Sequence, residues 1–324
     1  VTTSDDVDYN VAVGHSALQG TAATNQEGTV AIGFNTLSSL TTGAGNTGVG
    51  NRALQAMTES GQNTAVGFGA LQDLIDGDQN TAIGYNAMNM ADDTSFNFNT
   101  AVGANAGDEM SDDYAHEHNT FVGANAGGGT WADVISGNNT AVGSSALDAN
   151  LSGALNNTAI GMNSLTTLTT GDKNTAVGKS AGEQVLGGSD NTFVGYDAGA
   201  STTSGQNNVL IGYQAGTSSS PVTVATENYQ ACIGNDSIAN SFIKVDWTVG
   251  SDIRDKTDIE TLPDVAGLSF VNQMRPVTYK WDNRSDYYEF GHEKYGERDH
   301  SKKSEQNEVG FIAQEVKEIE KSIG

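Results

Sequence analysis

The sequence predicts an all-β repeat solenoid followed by a small α+β domain, on three observations. A five-residue core of the form Asn-Thr-Ala-Val-Gly recurs thirteen times between Asn10 and Gly234. Its glycines lie 19, 17, 17, 17, 19, 20, 20, 18, 17, 17, 17 and 22 residues apart, too close for a helix pair and suited to a coil built on a short strand. Near residue 250 the repeats stop and the charge balance changes: residues 1–250 carry 4 Lys+Arg against 24 Asp+Glu, a net of −20, and residues 251–324 carry 11 against 16, a net of −5.

The first copies run from Asn10 to Gly14, Thr29 to Gly33, Asn46 to Gly50, Asn63 to Gly67 and Asn80 to Gly84, and the last is the degenerate Gln230 to Gly234. Asn holds the first position in eleven of the thirteen. Within the core, small or polar residues alternate with β-branched ones, which is strand patterning. A second apolar pair follows three positions after most glycines, as in Ala17-Leu18, Ala53-Leu54 and Ala70-Leu71, and reads as a second short strand. Linking stretches such as Thr41 to Gly45 or Asp76 to Asp78 hold turn residues.

Such coils cannot bury an apolar face alone, so they stack, with strands about 4.8 Å apart and a rod of roughly 60 Å for thirteen. Stacking places Val/Ile in one column. A second column holds Asn46, Asn63, Asn80, Asn99, Asn119, Asn139, Asn157, Asn174, Asn191 and Asn208, whose amides can form a structural hydrogen-bonded ladder. An interior of Ala, Val, Ile and Leu is thin for a free rod, so burial around a shared axis in a homotrimer is expected.

The Asn-Thr-Ala-Val/Ile-Gly units resemble the head repeats of trimeric autotransporter adhesins of the YadA type and related repeats in bacteriophage tail fibres, over roughly residues 8 to 240. The resemblance implies a left-handed parallel β-roll wound into trimers, with residues 1–240 as head or shaft.

The position after each core glycine varies freely and includes Phe34, Phe68, Tyr85, Tyr196 and Tyr213. Aromatic residues beside a fixed scaffold can stack on sugar rings or pack on the next coil. Trp131, in the insertion Gly127-Gly-Gly-Thr-Trp131, is expected to be the strongest recognition aromatic.

Residues 241–250 connect the repeats to a different module. Ser251-Asp-Ile-Arg-Asp-Lys256 opens it, Arg275-Pro-Val-Thr-Tyr-Lys-Trp281 reads as a strand after a helix end, and Val309-Gly-Phe-Ile-Ala-Gln-Glu-Val316 reads as a strand running into a helix. These blocks, in this order, resemble the intramolecular chaperone domain of the peptidase S74 family, found at the C-terminal end of phage endosialidases, tail spikes and tail fibres. Over residues 251–324 the resemblance implies a chaperone that trimerises, drives folding of the preceding β-structure, and releases itself. It implies a scissile bond between Gly250 and Ser251, Ser251 as nucleophile and Lys256 as general base, with Asp252, Arg254 and Gln314 in supporting places. Family members usually continue past the last block into long helices, so either a truncated chain or an abbreviated domain is expected at Gly324.

Composition narrows the rest. No apolar run reaches the length of a membrane-spanning helix, and the acidic balance repels nucleic acid and anionic lipid, so neither membrane insertion nor nucleic-acid binding is expected. Cys232 is the sole cysteine and builds neither a disulfide nor a zinc site by itself. His116-Glu-His118 places two imidazoles two apart, on one face if extended, but in a stretch expected to be an exposed loop, and no metal or other cofactor is expected. The acidic residues concentrate in linking loops such as Asp76/Asp78, Asp92/Asp93 and Asp112/Asp113 and read as solvated charge.

The reading that results is a virion tail-fibre or tail-spike segment, folded in the host cytoplasm and acting outside the cell. Its expected partners are itself, tail proteins upstream, and a bacterial surface glycan or outer-membrane receptor. The alternatives are a bacterial trimeric adhesin head without proteolysis and a tail-spike glycan depolymerase, the latter requiring paired carboxylates.

Overall fold

The computed structural model describes residues 9–20, 26–89, 96–110, 116–131, 134–238, 272–280, 308–312 and 315–319. The chain divides into two compact units, 1–238 and 239–324.

In the first unit every repeat core is a three-residue strand. The strands are β1 (Val11–Val13), β2 (Val30–Ile32), β3 (Thr47–Val49), β4 (Thr64–Val66), β5 (Thr81–Ile83), β6 (Thr100–Val102) and β7 (Thr120–Val122). They continue as β8 (Thr140–Val142), β9 (Thr158–Ile160), β10 (Thr175–Val177), β11 (Thr192–Val194), β12 (Val209–Ile211) and β13 (Ala231–Ile233). All thirteen pair in sequence order in one parallel sheet. Register is kept position for position, as in Thr120↔Thr140, Phe121↔Ala141 and Val122↔Val142. The first unit is a parallel β-solenoid.

The strands resolve which residues face inward. From β2 to β12 the middle residue, usually Ala, is fully buried, while the flanking Thr or Val and Val or Ile face out; in β1, at the end of the stack, Ala12 is exposed. The expectation of a Val/Ile interior is therefore corrected. With a period of two, Asn and the middle residue share one side and Thr and Val the other, and the side carrying Asn with Ala, or with Phe in β7 and β11, faces inward.

The second apolar pair is not a strand but a turn. Its Leu adopts a left-handed conformation, for example Leu54 (φ 53°) and Leu71 (φ 49°), which drops the side chain into the core at 0% exposure. A non-glycine residue there carries strain, offset by burial of a whole Leu. Where the turn holds Gly instead, the volume comes from elsewhere. A Cβ on Gly127 would meet the Phe121 ring at 2.6 Å, one on Gly199 the Phe193 ring, and one on Gly216 the Leu210 side chain. Strand Ala with turn Leu, and strand Phe with turn Gly, are thus two ways of filling one cross-section, and where Ala101 and Ala176 go with the turn glycines Gly107 and Gly182 the Phe121 and Phe193 rings of the next coil reach in. The core accordingly holds Phe96, Phe121, Phe193, Met57, Met88 and Met110 beside Ala and Leu, more than the four residue types expected.

The Asn column is buried throughout Asn46 to Asn208. Each Oδ1 accepts the backbone N–H of the next Asn at 2.9–3.1 Å. Each Nδ2 donates to a loop carbonyl of the next coil at 2.6–3.2 Å. The ladder is mainly side chain to backbone, with amide-to-amide bonds such as Asn191 Nδ2 to Asn174 Oδ1 (3.0 Å) added. Where Thr29 replaces Asn, Gln26 supplies the missing donor, its Nε2 reaching the Leu40 carbonyl at 2.7 Å. Asn139→Ala removes the acceptor for Asn157 N–H (2.9 Å) and the donor to the Ala154 carbonyl (2.9 Å). Two buried groups lose partners, so a loss of about 2–4 kcal/mol is expected in denaturant unfolding. A loss below about 0.5 kcal/mol would show the ladder to be dispensable.

In the second unit, β14 (Pro276–Tyr279) pairs antiparallel with β15 (Glu308–Phe311). Residues 315–319 are helical. The Arg275 guanidinium meets the Glu315 carboxylate at 2.6 Å, which ties the residue before β14 to the helix.

Candidate functional site

Because like positions stack in register, whatever is written at an outward position becomes a column one coil spacing apart. Two columns come from the strands. The first residues are mostly Thr, and the third residues form a row of β-branched side chains: Val13, Ile32, Ile83, Val122, Ile160, Val194, Ile211 and Ile233 are exposed, and Val49, Val66, Val102, Val142 and Val177 half-buried. This continuous outward apolar row is absent from the sequence expectation, which had placed Val and Ile inside. The alternation along the strand does not by itself tell the two faces apart.

Beyond the glycines lies the variable column. His15 stacks on Phe34 (5.4 Å between centroids), Phe68 on Tyr85 (5.6 Å) and Tyr196 on Tyr213 (5.4 Å), with interplanar angles of 19°, 16° and 13°. Lys179 Nζ lies 5.5 Å over the Tyr196 ring. Phe34, Phe68, Tyr85, Tyr196 and Tyr213 are all exposed. Stacking between coils closes one face of each ring, so these residues both pack on their neighbours and remain open to a ligand. A further stack that sequence reasoning missed, Phe98 on His118 (4.9 Å, 5°), occupies the position before the core Asn.

Trp131 is corrected from an exposed recognition residue to a core residue. It is 2% exposed, lies edge-on to Phe121 (5.7 Å) and His116 (4.9 Å), and donates its indole N–H to the Gly127 carbonyl at 3.2 Å. The insertion of small glycines opens space that the indole fills from within. The histidine pair is likewise split. His116 is buried and its Nδ1 accepts the Ser136 N–H at 3.1 Å, while His118, with φ 60°, is exposed. The left-handed residue turns the two imidazoles to opposite sides, so they share no metal. Among the described residues no group of three or more His, Cys, Asp or Glu could hold an ion.

The described acidic residues largely serve turns. Asp78 accepts the Gly61 N–H at 2.7 Å and Asp172 the Leu155 N–H at 2.8 Å. Burial raises the Asp148 carboxyl above its ordinary range against the opposing hydrogen bonds of Ser145 and Gly128. Burial also raises Asp108, helped by the Glu109 charge and opposed by the Glu109 and Asn89 N–H groups. Asp92, Asp93, Asp112 and Asp113 lie outside the described residues. So do Gly250, Ser251, Asp252, Arg254, Lys256 and Gln314. Among the described residues no helix is long and apolar enough to cross a membrane.

Residues 251–324 match the peptidase S74 family, described as chaperone of endosialidase. No curated protein and no solved structure matches the chain. A chaperone-of-endosialidase segment following a parallel β-solenoid supports a tail-fibre or tail-spike type of protein with a C-terminal chaperone.

Proposed function

We propose that the chain is a host-attachment segment of a phage tail fibre, a YadA-head-like homotrimer whose S74 segment directs trimer folding and leaves by a cut between Gly250 and Ser251. Ser251 acts as nucleophile and Lys256 as its base. The fibre joins tail proteins upstream, is carried on the virion after folding in the host cytoplasm, and presents its outward columns to a bacterial surface glycan or outer-membrane receptor.

The observation that carries this reading is the outward β-branched row, followed along the chain by a segment that matches the chaperone-of-endosialidase family. A row of exposed apolar side chains along thirteen strands is a large uncovered patch for a single chain. Three copies around one axis cover it with identical rows. Burying the exposed part of each Val or Ile contributes about 1 kcal/mol, on the order of 10 kcal/mol per protomer.

Sedimentation of the full chain tests it, beside the variant Val102→Glu/Val122→Glu/Val142→Glu. The wild type is expected as a trimer and the triple variant as a folded monomer with an unchanged far-ultraviolet spectrum, since none of the three side chains fills the core. A triple variant that stays trimeric would place the interface elsewhere, and a monomeric wild type would remove the fibre reading.

A further inference from the structure

The variable column is interrupted at one place. Going along the stack it reads His15, Phe34, Asn51, Phe68, Tyr85, then Ala104, Ala124, Ser144, then Met162, Lys179, Tyr196, Tyr213. Three successive coils carry nothing larger than Ser, all three residues exposed. Between Tyr85 and Met162 there are four coil spacings, a trough of about 19 Å. Tyr85 closes one face against Phe68 but has only the Ala104 methyl ahead of the other, and it is 55% exposed. One residue further along the chain, Asn105, Asn125 and Ser145 adopt left-handed conformations and edge the same three coils. Asn105 Nδ2 donates to Asn125 Oδ1 at 3.3 Å in an exposed pair.

The trough thus has an aromatic face at one end, a floor of small side chains, and a row of amide and hydroxyl groups along its edge. A pyranose needs this combination: an apolar C–H face for the ring to cover, and hydroxyls at its rim for amides that both donate and accept. Charge selects further. Residues 53–172 contain neither Lys nor Arg. Glu109 and the half-buried Asp108 and Asp148 belong to these same coils. Along these coils a sialic acid, uronate or phosphate would find carboxylates and no cation, since Lys179 stands one coil beyond Met162 and lies over the Tyr196 ring.

We infer that this trough binds an uncharged linear glycan, with one sugar on the open face of Tyr85 and the following sugars lying over Ala104, Ala124 and Ser144, where other coils carry aromatic rings. The inference rests on the receptor-binding reading above and narrows it to one site and one ligand class. The single-coil gap at Asn51, between Phe34 and Phe68, is filled by its own side chain and is too short for a chain of sugars.

The full chain is tested on an array of bacterial oligosaccharides grouped as uncharged, sialylated or uronate-bearing, and phosphorylated. Wild type is expected to retain uncharged linear members. Ala124→Trp fills the trough from an exposed position without touching the core, and Tyr85→Ala removes the platform; each is expected to weaken retention about tenfold. Asn51→Trp, a bulky residue in the same column outside the trough, leaves retention unchanged. Retention limited to the charged groups, or insensitive to Ala124→Trp, overturns the trough and leaves the receptor reading standing. Retention of no glycan by a chain that sediments as a trimer overturns the trough and the glycan arm of the receptor reading, and leaves an outer-membrane receptor as the partner.

Discussion

Gly123→Ala is expected to split the melting of the solenoid into two transitions. Gly123 follows β7, the middle strand of thirteen, with φ 141°, and a Cβ there would stand 2.5 Å from the Gly143 carbonyl oxygen. The obstacle is backbone of the next coil, which cannot rotate away, and the dihedral itself is one that side chains rarely adopt. Together these cost roughly 4 kcal/mol or more. In a solenoid each coil touches only its neighbours, so a defect at the centre decouples the halves instead of lowering every coil equally. Calorimetry of the variant should show two separated transitions where the wild type shows one. Gly28→Ala is the control: its φ is also positive, at 69°, but nothing lies within 4 Å, and a loss of about 1 kcal/mol without splitting is expected. A single transition for Gly123→Ala, shifted no more than the control, would show that the glycine column does not set the stacking distance.

Ser251→Ala is expected to leave the chain uncut where the wild type yields separate fragments of residues 1–250 and 251–324. In the proposed cut the serine follows the scissile bond, so attack of its Oγ on the Gly250 carbonyl would transfer the acyl group from its own nitrogen to its own oxygen. The proton leaves Oγ for a base, the freed amine takes a proton, and the C–N bond breaks. Water then hydrolyses the ester, giving a Gly250 carboxylate and a Ser251 amino terminus. A serine hydroxyl does this only with a base nearby, and a Lys serves as one only when its charged form is disfavoured by burial. Lys256→Ala is therefore also expected to block release, and Lys256→Arg with it, since a guanidinium keeps its proton. On the proposed reading, release coupled to burial of that lysine would have trimer assembly as its trigger. Intact mass of the wild type and of the three variants decides: cleavage in Ser251→Ala, or an uncut wild type, sinks the assignment of the nucleophile, and cleavage in Lys256→Arg sinks that of the base.

How far the sequence reaches can be judged from particular residues. Thirteen strands, their parallel order and their register follow from the spacing of the core glycines, because identical local units with near-equal loops can stack only in step. The aromatic column was legible the same way, by aligning the residue after each glycine. The three-coil gap at Ala104, Ala124 and Ser144 was equally present in the alignment. It gains meaning only from the stacked rings on one side of it and the amide pair of Asn105 and Asn125 beside it.

Two features needed the fold. His116 and Trp131 look like loop residues in sequence, since insertions with Gly, Asp and Glu surround them, yet both are buried against Phe121 or one another. The second apolar pair looked like a strand because Ala-Leu is too short to show a period, and the left-handed φ of the Leu is set by the turn that must return the chain to the sheet.

By itself, then, the sequence determined the repeat, the strand and the column of asparagines. These are properties of local pattern and of its period. Only the tertiary structure decided which side of each strand is inside, because alternation with a period of two is blind to the choice. The cross-section of the coil makes that choice: it is filled by Ala, Leu and Phe, with turn glycines where a large side chain crosses it, and the valines and isoleucines stay on the outer face.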